Sequence, residues 1–199
     1  MAPHANIKEI LDNGSSLESR FIPDYKKLKI AVETLKKTGY RIVLTQGVYD
    51  LIHEGHAGYL EAAKSHGDIL IVGVDSDSLT RKRKGPGRPV VPQTERLKML
   101  IHLRHVDIVT LRDVKHDIGH LIRLIQPDVL VASKSTSDFK KDQVYEYKNY
   151  CGKIVILPPQ ATTSTSARIR TLTIDGAEKL AGEIGHLTQV FINNIRGRK

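Results

Sequence analysis

The sequence predicts an α/β fold, a doubly wound parallel sheet. Two observations predict it. Short, continuous apolar runs recur along the chain, among them Ile42-Val43-Leu44, Ile69-Leu70-Ile71-Val72 and Val129-Leu130-Val131, as expected of strands covered on both faces. Segments with helical spacing separate them, which is the βαβ rhythm of a parallel sheet. In such sheets ligands bind outside the carboxyl ends of the strands. The segments richest in chemistry here all follow the ends of apolar runs.

The elements are read in order. Residues 1–22, with Asn13-Gly14-Ser15-Ser16, read as a flexible leader. Residues 25–37 place Leu28, Ala31, Val32 and Leu35 at helical spacing, and Gly39 stops that helix. Residues 41–45 read as a strand, 56–65 as a helix with Tyr59, Leu60 and Ala63 on one side, and 68–74 as a strand. Residues 82–91 contain Gly85, Pro86, Gly87 and Pro89 and read as a loop that an anionic ligand would order. A helix is expected over 92–103, with Pro92 at its start where a missing N–H costs nothing. Residues 107–111 are a strand, 117–125 a helix ended before Pro127, 129–132 a strand and 143–150 a helix. The strand over 153–157 is broken by Pro158-Pro159. Thr163-Ser164-Thr165-Ser166 then offers caps for a helix. A last helix over 177–195 carries Leu180, Ile184, Leu187, Phe191 and Ile195 on one stripe. The expected organisation is a leader over 1–22, a core domain over 23–174, and a C-terminal helix with a basic tail over 175–199.

Composition narrows the partners. The 199 residues are 40% hydrophobic and 27% charged, an ordinary globular balance. No apolar run approaches membrane-spanning length, and residues 1–12 lack a secretory apolar core, so the expected compartment is the cytoplasm and no membrane partner is expected. The single cysteine, Cys151, excludes an internal disulfide and a cysteine-rich metal site. The net charge of +9 calls for an anionic partner. With no Trp and three Phe there are few stacking platforms for nucleic acid, so a phosphate-rich small substrate fits better.

The most informative segment is Gly47-Val48-Tyr49-Asp50-Leu51-Ile52-His53-Glu54-Gly55-His56. It joins a strand to a helix, and its imidazoles and helix-start amides suit a polyphosphate and the charge it develops on cleavage. His53 and His56 are the candidate catalytic pair, with Lys84 beside them. A zinc site is disfavoured because no further Cys/His cluster completes it. Asp50 either orients the acceptor or braces the loop. Lys84 and Arg88, in Lys84-Gly85-Pro86-Gly87-Arg88, would reach across a triphosphate. Ser164, Thr165 and Ser166 form either a second phosphate clamp or a plain helix cap. Asp75-Ser76-Asp77 meets the ribose, the acceptor or a metal, or caps a helix, with the cap favoured.

These residues resemble the cytidylyltransferase-like nucleotidyltransferase superfamily. Its first-strand loop of H-x-G-H type is matched by His53-Glu54-Gly55-His56, and its late Ser/Thr-rich motif by Ser164-Thr165-Ser166. The similarity is greater still to the nucleotidyltransferase half of the bifunctional bacterial heptose enzymes, which adenylylate heptose-1-phosphate. It runs from about Tyr25 to Thr171. The resemblance implies a Rossmann-like, nucleotidyltransferase-type fold with helical extensions at both ends. It also implies an NTP, with ATP favoured, a small phosphorylated acceptor, and Mg²⁺ bound through the nucleotide phosphates rather than by protein ligands. Carried over, His53 and His56 would stabilise the α-phosphate and pyrophosphate. Gly47, Val48, Tyr49, Gly55, Arg88 and Ser164 to Ser166 would surround the nucleotide. Asp50, Asp75, Ser133 and Lys134 would face the acceptor. Two departures stand out: Gln46 replaces the subfamily's usual Asn, and Ala132-Ser133-Lys134-Ser135-Thr136-Ser137-Asp138-Phe139 replaces a Lys-Gly-Gly-Asp-Tyr-like stretch. The alternatives are a cytidylyltransferase acting on a polyol phosphate or a phosphocholine-like acceptor, or a non-catalytic nucleotide- or nucleic-acid-binding protein. The final helix, past the common core, is expected to be a dimer element, a lid element or a packed C-terminal helix, and a homodimer is among the possible partners.

Overall fold

The structure is a computed structural model that describes residue 10 and residues 16–134, 146–161 and 164–196. The elements are α1 (Leu17–Arg20), α2 (Tyr25–Lys37), β1 (Ile42–Gly47), α3 (Glu54–Lys64), β2 (Ile69–Asp75), α4 (Asp77–Lys84), α5 (Gln93–Ile101), β3 (Ile108–Arg112), α6 (His120–Ile125), β4 (Val129–Ser133), β5 (Lys153–Leu157) and α7 (Thr165–Arg196). The chain divides into two compact units, Met1–Thr162 and Thr163–Lys199.

The first unit holds a five-stranded sheet in the order β3-β2-β1-β4-β5, with every described pairing parallel. The expected doubly wound architecture is therefore observed. Alternation along each strand sends successive side chains to opposite faces. Ile42, Leu44, Ile71, Ile108 and Leu130 pack with Leu28, Val32 and Leu35 of α2 and Leu121 and Ile125 of α6. Val43, Leu70, Val72, Val109 and Val131 pack on the other face with Leu60 of α3 and Leu97 and Leu100 of α5. Two carboxylates tie down strand entries: Asp68 accepts from Arg41 N at 2.7 Å and Asp128 from Ile42 N at 2.7 Å. Because β1 lies between β2 and β4, the sheet reverses direction there, and the loop after β1 opens at the switch point where α/β sheets bind ligands.

Several elements differ from the sequence reading. Ile10 and Ile22 are buried in the core, and Phe21 bridges Val109, so the segment read as a leader contributes to the packing. The segment read as a loop from residue 82 begins as helix: α4 runs to Lys84, capped by Ser76, whose Oγ accepts from Leu79 N. The capping role given to Asp75-Ser76-Asp77 thus falls to Ser76. Pro92 is the N-cap of α5 rather than its first helical residue. The two helices expected after residue 163 are one, α7, which runs through Gly176. A helix-interior glycine costs only about 1 kcal/mol relative to alanine. The helix expected over 143–150 and the segment 135–139 lie wholly or partly outside the described residues, as do Thr163 and the basic tail beyond residue 196.

Candidate active site

Tyr49 and Leu51, at φ 55° and 46°, take the left-handed conformation that non-glycine residues rarely adopt. These two bends turn the chain from β1 into α3 and set His53 at the helix N-cap. His53 Nδ1 accepts from Gly55 N at 3.1 Å, and His56 Nδ1 accepts from His53 N at 3.4 Å. Their ring centroids are 4.2 Å apart. A neutral imidazole that accepts at Nδ1 carries its proton on Nε2. The capping bond at His56 therefore places its proton on Nε2, and a neutral His53, held in the same way, carries its proton on Nε2 as well.

Burial first, then His53 and Lys84, lower the pKa of His56 to about 4. His56 is neutral at pH 7, a hydrogen-bond donor rather than a cation. The sign for stability follows: a folded value below the ordinary 6.5 means that the unfolded chain takes up a proton first. The contribution is present above pH 6.5 and is lost as pH falls towards about 4. In His56→Asn the urea midpoint should therefore fall less between pH 7 and pH 5 than in the parent chain. Identical pH profiles would contradict this.

Gly55 was expected to let phosphate approach the backbone. The structure supplies a packing reason as well. A Cβ there would stand 2.6 Å from Ala161 Cβ and 2.9 Å from His53 Cε1. Gly55→Ala should cost about 1–3 kcal/mol by overpacking and turn the His53 ring out of place. Urea unfolding and turnover check both effects; a variant unchanged in either contradicts the packing account.

The acids along this edge are engaged. Asp50, only 2% exposed, accepts from Val90 N at 3.0 Å and Val91 N at 2.9 Å, and lies 3.0 Å from Arg88 Nε. It ties the loop over residues 85–92 to the His loop. Asp75, fully buried, is held between Arg83 at 2.5 Å and Arg112 at 2.8 Å. Its carboxylate is buried between these two guanidinium groups. Arg112 reaches it across Gly73, where a Cβ would lie 3.1 Å from the Arg112 Cδ. Lys84 ends α4 with an exposed side chain. Partial desolvation of its ammonium, then Arg88 and Arg83, lower its pKa. The field of Lys84 acts in turn on His56, so the loop's charge and the His pair share one neighbourhood.

Val48 and Tyr49 are buried, and the Tyr49 ring lies 5.6 Å from that of His56. Gly47 closes β1. Ser133 closes β4, and Lys134, exposed, donates its N–H to Leu157 O. Ser164, Thr165 and Ser166 belong to the second unit: Ser164 Oγ accepts from Ala167 N at 3.2 Å as a cap of α7, Thr165 is buried, and Ser166 is exposed.

Two residues of this edge were not anticipated as site residues. Arg96, 1% exposed on α5, donates Nε to Val91 O, Nη1 to Val48 O, and Nη2 to Asp75 O and Asp77 Oδ1. One guanidinium thus joins the His loop, the end of β2 and the basic loop. The sequence signal was present: Arg96 sits four residues before Leu100, on the buried stripe of its helix. The second is Gln46, 9% exposed at the end of β1, whose Oε1 and Nε2 both lack a hydrogen-bond partner. Buried amides are normally paired, so an unpaired one at a ligand-binding edge offers both a donor and an acceptor.

Among the described residues no three His, Cys, Asp or Glu side chains gather as a metal cluster. Asp50, Asp75 and Asp77 are each paired with arginine. The donor set therefore fits a Mg²⁺ ion carried by nucleotide phosphates better than one held by carboxylates. No helix among the described residues is long and apolar enough to cross a membrane.

A loop at the switch point of a parallel sheet, with two imidazoles at a helix start, is the arrangement that the resemblance to Rossmann-like nucleotidyltransferases implies. The chain belongs to the cytidylyltransferase-like family, whose model matches residues 44–172. It is thereby a nucleotidyltransferase. It is 38% identical over 146 residues to the bifunctional protein HldE of Desulfatibacillum aliphaticivorans, a match covering 72% of this chain and 29% of that protein. It is 40% identical over 150 residues to the same-named protein of Alcanivorax borkumensis, covering 72% and 31%. The chain thus spans about a third of the length of these relatives. Among solved structures it is similar to a lipopolysaccharide core biosynthesis protein from Thermoplasma volcanium, with TM-score 0.55, 27% identity, and coverage of 61% of this chain and 98% of that one. The resemblance read from the motifs is borne out by these relatives.

Proposed function

We propose that the chain transfers an adenylyl group from ATP to a sugar 1-phosphate of the heptose class and releases pyrophosphate. The His53–His56 pair carries this reading. An oxygen of the acceptor phosphate attacks the α-phosphorus, the bond from that phosphorus to the β-phosphate bridging oxygen breaks, and pyrophosphate departs with the electron pair. The nucleophile is already an anion, so no strong base is required, and catalysis rests on positioning and charge stabilisation. The two Nε2–H donors supply the stabilisation, one towards the α-phosphate and one towards the departing pyrophosphate. Lys84 and Arg88 add positive charge over the triphosphate. Mg²⁺, when bound, neutralises phosphate charge. The family match supports the class, and the motif resemblance and the similarity to a lipopolysaccharide core biosynthesis protein support this choice of substrate.

Two measurements test it. In a thermal-shift panel of the four NTPs with magnesium, ATP should raise Tm most, because a ligand that binds only the native state stabilises it. Pyrophosphate release should then require a sugar 1-phosphate. A panel in which CTP alone raises Tm, with turnover on a polyol phosphate, overturns the substrate assignment while keeping the class. The unpaired Gln46 amide is assigned to an acceptor hydroxyl. Gln46→Ala should raise the acceptor KM by about 3- to 10-fold, the scale of one neutral hydrogen bond, and leave the ATP KM unchanged. An unchanged acceptor KM removes Gln46 from the acceptor subsite.

A further inference from the structure

Among the described residues of the second unit α7 is the one helix, and nothing else described in that unit covers its apolar stripe. Leu180, Ile184, Leu187, Phe191 and Ile195 follow one another in steps of four, three, four and four residues, which align on one face at about 100° per residue. They are 57%, 55%, 67%, 65% and 56% exposed. Leu172 and Val190, 69% and 43% exposed, lie on one flank of the stripe. At roughly 100 Å² for each such side chain, the patch amounts to on the order of 600 Å² per copy, as large as the largest patches monomers expose. A lone helix gains its stability by covering such a face.

We propose that α7 is a self-association helix and that the stripe is covered by the same stripe of a second copy of this chain. Three features favour that occupant. The stripe is self-compatible: Gly176, Ala177, Ala181 and Thr188 border it, and Glu183 is the one charged side chain at its edge between residues 180 and 195, so two copies meet with little like-charge repulsion. A two-fold contact needs nothing more than one patch that fits itself. The area suffices as well: two copies together bury on the order of 1,200 Å², the lower bound of a stable specific interface. The outer face, lastly, is mixed in sign, with Asp175 and Glu178 beside Lys179 and Arg196. A helix that lies on anionic lipid carries a basic outer face instead, so the charge pattern points to protein rather than membrane.

Sedimentation equilibrium of the full chain at micromolar concentration tests this. The parent chain should run at twice the chain mass. Leu187→Lys combined with Phe191→Lys keeps good helix formers but places four charges in the paired stripe, and should weaken association about 100-fold or more. Circular dichroism of that variant should match the parent. Because a variant can also fail by misfolding, mild oxidation gives an independent reading. Leu187→Cys should yield a covalent dimer well above the background set by Cys151, whereas Gln189→Cys, on the outer face, should not. A monomeric parent chain, a double variant that stays dimeric, equal cross-linking at both positions, or a parent chain that pellets with phosphatidylglycerol vesicles would each overturn the proposal.

Discussion

Replacing His53 or His56 by alanine lowers kcat by about 100-fold or more, the scale of losing one donor aimed at developing charge. Both rings sit at the N-terminus of α3, where the amides of Gly55 and His53 hold their Nδ1 atoms. The loss should appear in kcat rather than in the KM for ATP, because the donors act most strongly on charge that develops in the transition state. His56→Gln and His53→Asn retain a side-chain N–H and should retain more activity than the alanine variants. Each chain should remain folded, since the rings lie at a loop and helix start, with the cap loss limited to about 1 kcal/mol. Steady-state kinetics with a circular-dichroism control check this. A folded double variant with near-parental turnover contradicts it.

Arg96→Met should cost about 3–5 kcal/mol of stability, the scale of breaking a buried charge pair by removing one partner. The guanidinium serves three carbonyls and one carboxylate from three segments. Methionine fills much of the volume but leaves Val48 O, Asp75 O and Val91 O without this donor. Arg96→Lys should recover little, because an ammonium cannot present five donors in one plane. Urea unfolding measures the loss, and hydrogen exchange should show faster opening of the 85–92 loop. A change under about 1 kcal/mol would mean that water replaces the guanidinium, and the bracing role would fall.

The sheet was legible because a strand buried on both faces is apolar along most of its length, as Ile42 to Leu44 of β1 and Ile69 to Val74 of β2 are. The His loop was legible because its glycines, aspartate and histidines keep fixed offsets. The pairing of charges was not. Asp50 and Asp75 look like substrate ligands in one dimension, and only folding brings Arg88, Arg83 and Arg112 to them. Helix α4 was hidden because residues 82–84 were read with the Gly/Pro-rich loop that follows them, and only Leu79 and Thr80 of the helix turn inward. Helix α7 was read as two pieces because Gly176 and the β-branched Thr171, Thr173 and Ile174 weaken the local helix signal without ending the helix. Gln46 was noted only as a substitution; its unpaired, buried amide is a property of the folded strand end.

The central claim is transfer of the α-phosphoryl nucleotide, and the fate of a label tests it most directly. The chain is incubated with magnesium, a sugar 1-phosphate and ATP labelled at either the α or the γ phosphorus. The expected result is that the α label enters the nucleotide-sugar product while the γ label leaves as pyrophosphate, with both dependent on acceptor and both reduced about 100-fold or more in His56→Ala. Passage of the γ label to the acceptor, or release of the α label as free AMP without acceptor, would contradict the account.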